Sequence, residues 1–394
     1  MKFELSPQDK SALTAFLQDL VRTPGLSTKE DAVAARLAEE MRRVGFPEVY
    51  EDRIGNVIGR IGSGQGPKLL YNGHMDTVGV GDLSTWPQDP FGAEIEDGIL
   101  YGRGASDMKG ALAAMVYGAK LLIDSSAKLK GDLYVAGVVQ EEISEGLAMR
   151  VLVEEEGLRP DYVILGEATD LQISRGQRGR MEMKVVVRGL SCHASAPHRG
   201  VNAIYGAARL ISGLESLAPH LKEDPFLGRG TLAVTYIENT AGSRNVVPDS
   251  CTFYIDRRLT LGETEESALA EVQNIIGAEK VEASVAVSEE LLTSRTGYCC
   301  RHKEYYPPWT LPEEHPFVQT LAQVIHEALG YRPKIGCWAF STDGVYTMGV
   351  AGIPTVGFGP GQEGHTHTIH DQVHLEDVFS AARVYASLAA EVLR

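Results

Sequence analysis

The chain has 394 residues, 43% hydrophobic and 23% charged, with a formal net charge of −16, values ordinary for a soluble protein with room for two domains. The acidic balance excludes a nucleic-acid binder built on a basic patch, and no apolar run approaches the roughly 18 residues that span a bilayer. MKFELSPQDK at the start has no apolar signal core, and the five cysteines form no CxxC pair, so the expectation is a cytoplasmic protein without a disulfide scaffold or structural zinc finger.

In chain order, Ser6 before Pro7 predicts an N-cap and first helical residue, leading into the apolar stripe Leu13, Phe16, Leu17 and Leu20. Ser27 and Glu30 have capping-box spacing for a second helix carrying Val33, Leu37, Met41 and Val44, which Gly45 ends. GSGQG (62–66) lies between the strand-like NVIGRIG and KLLYNG. With no helix after it and the wrong glycine spacing for a dinucleotide fingerprint, it predicts a hairpin turn. Four apolar runs end in polar clusters: KLLYNGHMD, DLYVAGVVQEE, DYVILGEA and IPTVGFGPG. Helical stretches such as MKGALAAMVYGAKLL and EGLAMRVLVEEE lie between some of them, which predicts an α/β fold, a layered sheet flanked by helices. From about Arg180 the pattern becomes strand, helix, strand, strand, helix, strand, the order of a ferredoxin-like unit. RHKEYYPPWTLPEEHP then leads into the helix PFVQTLAQVIHEALG. The simplest organisation is a discontinuous catalytic domain, 1–179 and 291–394, with a smaller α+β domain inserted at 180–290.

The chemistry gathers at the ends of the four apolar runs. His74 follows the first, Glu141 and Glu142 the second, Glu167 the third, and GQEGHTHTIHDQVH, with its four histidines, the fourth. Ligands in open α/β sheets bind outside the carboxyl ends of the strands, so these groups are expected to meet, and Asp107, just before a helix, can reach the same crevice. Taken singly, Asp107 reads equally as an N-cap, Glu141 and Glu142 as solvated charges, and His74 as a buried histidine. Taken together, so many carboxylates and imidazoles need cations to offset their repulsion and desolvation. Mixed His and carboxylate ligands suit zinc, with cobalt or manganese as substitutes. Two such metals need one bridging carboxylate, and His74, Asp107, Glu142, Glu167 and one late histidine supply the count. Asp76, two residues after His74, is placed to hold the imidazole tautomer. Glu141 remains to take a proton from water.

GHMDTV (73–78), GRGASDMKG (102–110), QEE (140–142), GEAT (166–169) and the GPG-to-histidine segment resemble the two-zinc amidohydrolases that include acetylornithine deacetylase, succinyl-diaminopimelate desuccinylase and carboxypeptidase G. The resemblance implies a mixed sheet flanked by helices and an inserted lid and dimerisation domain. It also implies His74, Asp107, Glu142, Glu167 and His367 as metal ligands, with Asp107 bridging and Glu141 as general base. The late motif places the ligand six residues after Gly361, at His367, and leaves His365, His370 and His374 as bystanders. Asp371 stands where the family more often has Glu. GLSCHASAPHRG (189–200) matches a motif whose histidine, here His193, reaches a neighbouring subunit's active site and stabilises an oxyanion. Cys192 beside it makes a poor dyad, since neighbours on a strand face opposite ways. Asn245 in GSRNVVP and Arg258 in YIDRR match positions that hold a substrate carboxylate.

More narrowly, the segments around 175–205 and CWAFSTDGVYTMG resemble the branch labelled selenium-metabolism-linked hydrolases, a label of context that names no substrate. STDGVY has Val345 where the desuccinylases carry Arg, which argues against a dicarboxylate substrate. The resemblance therefore implies a dinuclear metal-dependent hydrolase of an amide bond in a small N-acyl amino acid or dipeptide-like substrate bearing a carboxylate, acting as a homodimer. The rivals are a metal-dependent aminopeptidase or dipeptidase, which must recognise a free amine, and a non-catalytic metal-binding homologue.

Overall fold

The computed structural model describes residues 3–125 and 127–394. The first helix, Pro7–Arg22, starts where the Ser-Pro pair predicts, and Ser6 and Asp9 form a reciprocal capping box. Leu13, Phe16, Leu17 and Leu20 are all fully buried. The second helix, Asp31–Arg43, buries Val33, Leu37 and Met41, but Ser27 does not cap it. Instead the Ser27 hydroxyl donates to Asp76 Oδ2 at 2.7 Å, and Glu30 Oε1 accepts from the backbone N–H of Thr28 at 2.9 Å and of Gln140 at 3.1 Å. Buried N–H groups must find acceptors, and Glu30 serves the Gln140 N–H while Ser27 serves the Asp76 carboxylate that the same turn uses.

A nine-stranded mixed sheet forms the larger layer. Its strands lie in the order Glu48–Glu51, Val57–Gly62, Asp132–Val138, Lys68–His74, Tyr162–Leu165, Thr355–Gly357, Ile173–Gln177 and Trp309–Thr310, with Ile335–Trp338 also beside Ile173–Gln177. GSGQG is therefore not a hairpin. Strand Asp132–Val138 separates its flanking strands, antiparallel to one and parallel to the other. The loop instead crosses the start of that middle strand, where Asp132 Oδ1 accepts from Gly64 N at 2.9 Å and Pro67 O from Asp132 N at 2.9 Å. Glycines specify a sharp bend, but which strand lies alongside is a nonlocal matter. Helices Gly110–Asp124 and Leu375–Val392 pack together against this sheet and contribute most of their length to its core.

A second core, drawn from residues between Met181 and Val287, surrounds a separate antiparallel sheet. Its strands lie in the order Thr231–Asn239, Ser250–Leu259, Gly179–Arg188, Ala283–Val287, with helices Ala203–Leu217 and Glu265–Glu279 packed on it. This is the ferredoxin-like strand order. Strand Ser250–Leu259 alternates buried and half-buried residues along its whole length, the period of a sheet with one covered face. The Tyr- and Pro-rich tract stitches the two layers together: Tyr305 and Tyr306 pair with Met181 and Arg180, and Trp309 and Thr310 with Gln177 and Gly176. Among the described residues, no helix is long and apolar enough to cross a membrane.

Candidate metal centre

Strands Asp132–Val138, Lys68–His74, Tyr162–Leu165 and Thr355–Gly357 are mutually parallel neighbours, so their carboxyl ends open along one edge. His74 ends its strand; Glu141 and Glu142 occupy the 3-10 turn after Val138; Glu167 follows Leu165 by two residues. The loop after Gly357 carries His367, whose backbone takes a left-handed φ of +58°, an uncommon state for a residue other than glycine. Its glycines set the approach. A Cβ at Gly359 would strike the Gly166 carbonyl, and one at Gly361 the Ser106 carbonyl, so the loop threads between the Glu167 turn and the Asp107 segment. Asp107 caps no helix. Its φ of −129° and ψ of 93° break the path into helix Gly110–Asp124.

These side chains meet in two sets that share Asp107. On one side His74 Nε2 lies 2.9 Å from Asp107 Oδ1 and 3.7 Å from Glu167 Oε1. On the other His367 Nε2 lies 3.2 Å from Asp107 Oδ2 and 2.9 Å from Glu142 Oε2. Ligand atoms of His74, Asp107 and Glu142 fall within 4.8 Å of one another, as do those of His74, Glu141 and Glu167. Apart from His367, which is half exposed, the set is buried or nearly so.

The electrostatics are those of anions short of cations. Burial, followed by the Glu167 charge, pushes Glu141 well above the usual glutamate range, and Glu141 Oε1 has no hydrogen-bond partner among the described residues. Burial and then the Asp107 charge do the same to Glu167. Burial would push Asp107 up as well, but hydrogen bonds with His367 and His74 outweigh it and hold its carboxyl below the usual range. Burial disfavours a charge on His74, and its bond to Asp107 and the Glu167 charge reverse that, lifting its pKa well above normal. Bonds to Asp107 and Glu142 lift His367 to about 10. Protonated imidazoles thus offset charge that divalent cations are able to offset better, and all five side chains are N or O donors of the kind zinc accepts.

Asp76 orients His74, but through a different group from the one expected. His74 Nδ1 lies 2.9 Å from the Asp76 carbonyl oxygen and 3.6 Å from its carboxylate. The carboxylate accepts instead from Ser27 Oγ and, at 3.2 Å each, from the backbone N–H groups of Glu141 and Glu142. The carboxylate is claimed by the turn's buried donors, and the carbonyl is left to the imidazole. Asp371 accepts from Gly104 N at 2.7 Å, Ser106 N at 2.9 Å and Arg103 Nη1 at 3.2 Å, clamping the Asp107 segment. The buried Lys109 ammonium anchors the same segment to the carbonyls of Leu20 and Thr23 at the end of the first helix.

Glu141, Glu142, Asp107, Glu167 and His367 line a cleft of about 450 Å³ that also reaches Arg258. His193 and Asn245 do not line it. They sit together and exposed on the second layer, where Ala194 N donates to the Asn245 carbonyl at 2.9 Å and the His193 ring accepts from Ser195 N at 3.1 Å. Cys192 and His193 pair with Val247 and Val246 on a short strand. His365 lies 3.2 Å from the Gln372 amide, while His370 and His374 are exposed. Val345 is buried behind Glu145 and Gly146 and does not line the cleft.

Several supporting residues escaped sequence reasoning. Asp343, pushed by burial to about 6, accepts from Asn72 Nδ2 and Gly146 N at 2.7 Å each and ties the His74 strand to the turn after Glu142. Glu145 and Arg180 line the cleft beside Arg258. Single polar residues in apolar or turn-rich surroundings carry no spacing signal; only Asp371 stood out, by its place in a motif.

Comparison with known proteins points to one family. The profile of Peptidase family M20/M25/M40 matches residues 70–391. The uncharacterized protein YgeY of Escherichia coli is 41% identical over 377 residues, 95% of this chain and 93% of its own length. A succinyl-diaminopimelate desuccinylase of Methylocella silvestris is 27% identical, covering 94% of this chain and 95% of its own. Among solved structures, the Bacillus subtilis YXEP protein, a dinuclear metal-binding peptidase of the M20 family, has a TM-score of 0.72 at 17% identity, covering 98% of both chains.

Proposed function

The chain belongs to peptidase family M20/M25/M40, and on that premise we propose that it is a dinuclear metal-dependent amidohydrolase acting on a small N-acyl amino acid or dipeptide-like substrate. One observation carries the reading: the Asp107 carboxylate turns one oxygen to His74 and the other to His367. His74, Asp107 and Glu167 would hold one divalent cation, and His367, Asp107 and Glu142 the other, with zinc the favoured metal and cobalt or manganese as substitutes. When bound, the metals supply Lewis-acid polarisation of the scissile carbonyl and a more acidic water. Glu141 takes the proton of the attacking water and delivers it to the leaving nitrogen. Its Oε1, buried without a hydrogen-bond partner among the described residues, suits that task. Arg258 receives the substrate carboxylate as a planar fork.

The segment 180–290 acts as lid and dimerisation domain. Leu190, Val201, Tyr205, Tyr236 and Ile237 are exposed on it, an apolar set that suits a second copy. The partner subunit's His193 and Asn245 complete the cleft, the histidine stabilising the oxyanion. The expected location is the cytoplasm.

The test is primary-amine release from N-acetyl, N-carbamoyl and N-succinyl amino acids and dipeptides, by chelator-stripped protein with and without added zinc, cobalt or manganese. Metal-dependent turnover of one class is expected. No turnover by fully remetallated protein would favour a non-catalytic metal-binding role.

A further inference from the structure

We propose that Glu30 is a positioning residue for Glu141: by accepting from the Gln140 N–H it fixes the turn out of which Glu141 and Glu142 part, the one toward the attacking water and the other toward His367. This rests on the proposed amidohydrolase chemistry and adds to it a buried residue that does not line the cleft.

Glu30 stands at the start of helix Asp31–Arg43, yet its side chain makes no cap to that helix. It is fully buried, and Oε1 accepts from Thr28 N at 2.9 Å and from Gln140 N at 3.1 Å. Both donors have left-handed backbones, with φ of +71° at Thr28 and +58° at Gln140. Residues with a Cβ disfavour that state, and it persists only where the surroundings over-determine it. One oxygen therefore ties together two such turns from distant parts of the chain. The Thr28 bond braces the carboxylate from its own segment, so the bond to Gln140 is offered from a fixed position.

Gln140 immediately precedes the base, and the backbone on either side of it is held by other side chains. Val139 N donates to Asn56 Oδ1 at 3.0 Å, and Glu141 N and Glu142 N donate to the Asp76 carboxylate at 3.2 Å each. Glu30 supplies the acceptor for the residue between them, where the chain turns left-handed. With Gln140 in that state, Glu142 Oε2 lies 2.9 Å from His367 Nε2, while Glu141 Oε1 is left unpaired among the described residues. Without the acceptor, Gln140 has no side-chain partner for its N–H and is free to relax toward negative φ. That rotation re-aims the chain directly before Glu141, and a displacement of about 1 Å at a reacting group is enough to cost a large part of the rate.

The experiment places three substitutions at Glu30 in the wild-type and Glu141→Gln backgrounds, all metal-loaded, and measures kcat and KM. Glu30→Met fills a similar volume without an acceptor; Glu30→Asp keeps the charge and a good N-cap but falls one methylene short; Glu30→Gln keeps an oxygen that accepts the same bonds. Met and Asp are each expected to lower kcat by about 10–100-fold with KM little changed, and Gln to recover most of that loss. Because the Asp variant retains the cap and the polarity, the comparison stands even if Glu30→Met fails to fold. In the Glu141→Gln background none of the three is expected to lower kcat further, since no base remains to be positioned. Equal losses in both backgrounds, or no loss in folded Met or Asp protein, would overturn the inference. The crystal structure of a folded Met or Asp variant reads it without turnover. Gln140 kept at positive φ would overturn it, whereas a relaxed Gln140 with Glu141 displaced would support it even if wild-type protein hydrolysed nothing, a result that overturns the amidohydrolase reading alone.

Discussion

Asp107, His74 and His367 show how much chemistry rests on single atoms. The bridging arrangement requires each Asp107 oxygen to face a different imidazole, and the Asp107 backbone leaves helical geometry to achieve it. The proposed roles separate cleanly by substitution. Glu141→Gln is expected to retain both metals, measured by elemental analysis, while kcat falls by about 10²–10⁴-fold, the usual worth of a general base. His367→Ala is expected to lower metal occupancy and His365→Ala to leave it intact, since His365 faces Gln372; the reverse result would move the ligand by two residues. A base must be ionised to act, and burial and the Glu167 charge raise the Glu141 pKa. Bound metals offset the Glu167 charge but not the burial, so the acid limb of kcat/KM against pH is expected above the ordinary glutamate value of 4.5. A limb at or below that value would remove Glu141 from the role.

At the scale of elements, the centre depends on segments held from behind. The QEE turn hangs on the Asp76 carboxylate and Glu30, and the Asp107 segment on Asp371 and Lys109. Asp371→Ala removes three hydrogen bonds at once and leaves Arg103, itself only 4% exposed, without its carboxylate. Breaking one side of a buried ion pair costs about 3–5 kcal/mol, to be measured by urea unfolding of the metal-loaded protein. A loss under about 1 kcal/mol, the range of an exposed pair, would mean that the clamp is dispensable. The same comparison explains which element-level signals were readable. The Ser6 cap and the apolar stripes are local and appeared where expected, whereas Ser27 and Glu30 had the right spacing for a capping box but answered to distant partners, Ser27 to Asp76 and Glu30 to the Gln140 N–H more than a hundred residues along the chain.

Across the whole molecule, binding of metal links to stability through pH. Folding raises the pKa of Glu141, Glu142 and Glu167 in the metal-free chain. A carboxyl raised in this way favours folding below its unfolded value and loses that contribution as pH rises through the folded value. Metal-free protein is therefore expected to lose stability as pH rises from about 5 to about 8, while metal binding, which needs the ionised carboxylates, gains. The Tm difference between metal-loaded and stripped protein should widen over that range by scanning calorimetry; a constant or narrowing gap would contradict the assigned site. Subunit exchange tests the dimer. Mixing Glu141→Gln with His193→Ala protein creates sites with an intact base and an intact partner histidine, restoring up to roughly a quarter of wild-type activity if subunits pair at random. No recovery after verified exchange would mean that His193 does not act across the subunit interface.

By itself the sequence determined the Ser6 helix cap, the buried strands, the ferredoxin-like order within 180–290 and the clustering of His74, Asp107, Glu141, Glu142, Glu167 and one late histidine. These are properties of local periodicity, turn chemistry and motif spacing, which each short segment carries alone. Only the tertiary structure decided that GSGQG crosses a strand and makes no hairpin, that the Asp76 carbonyl and not its carboxylate faces His74, that Val345 lies outside the cleft, and that Glu145 and Arg180 line it beside Arg258. Each of those depends on which distant residue arrives alongside. Strand neighbours and buried hydrogen-bond partners are chosen by the competition of all buried groups for one another, and no stretch of chain read alone contains that competition.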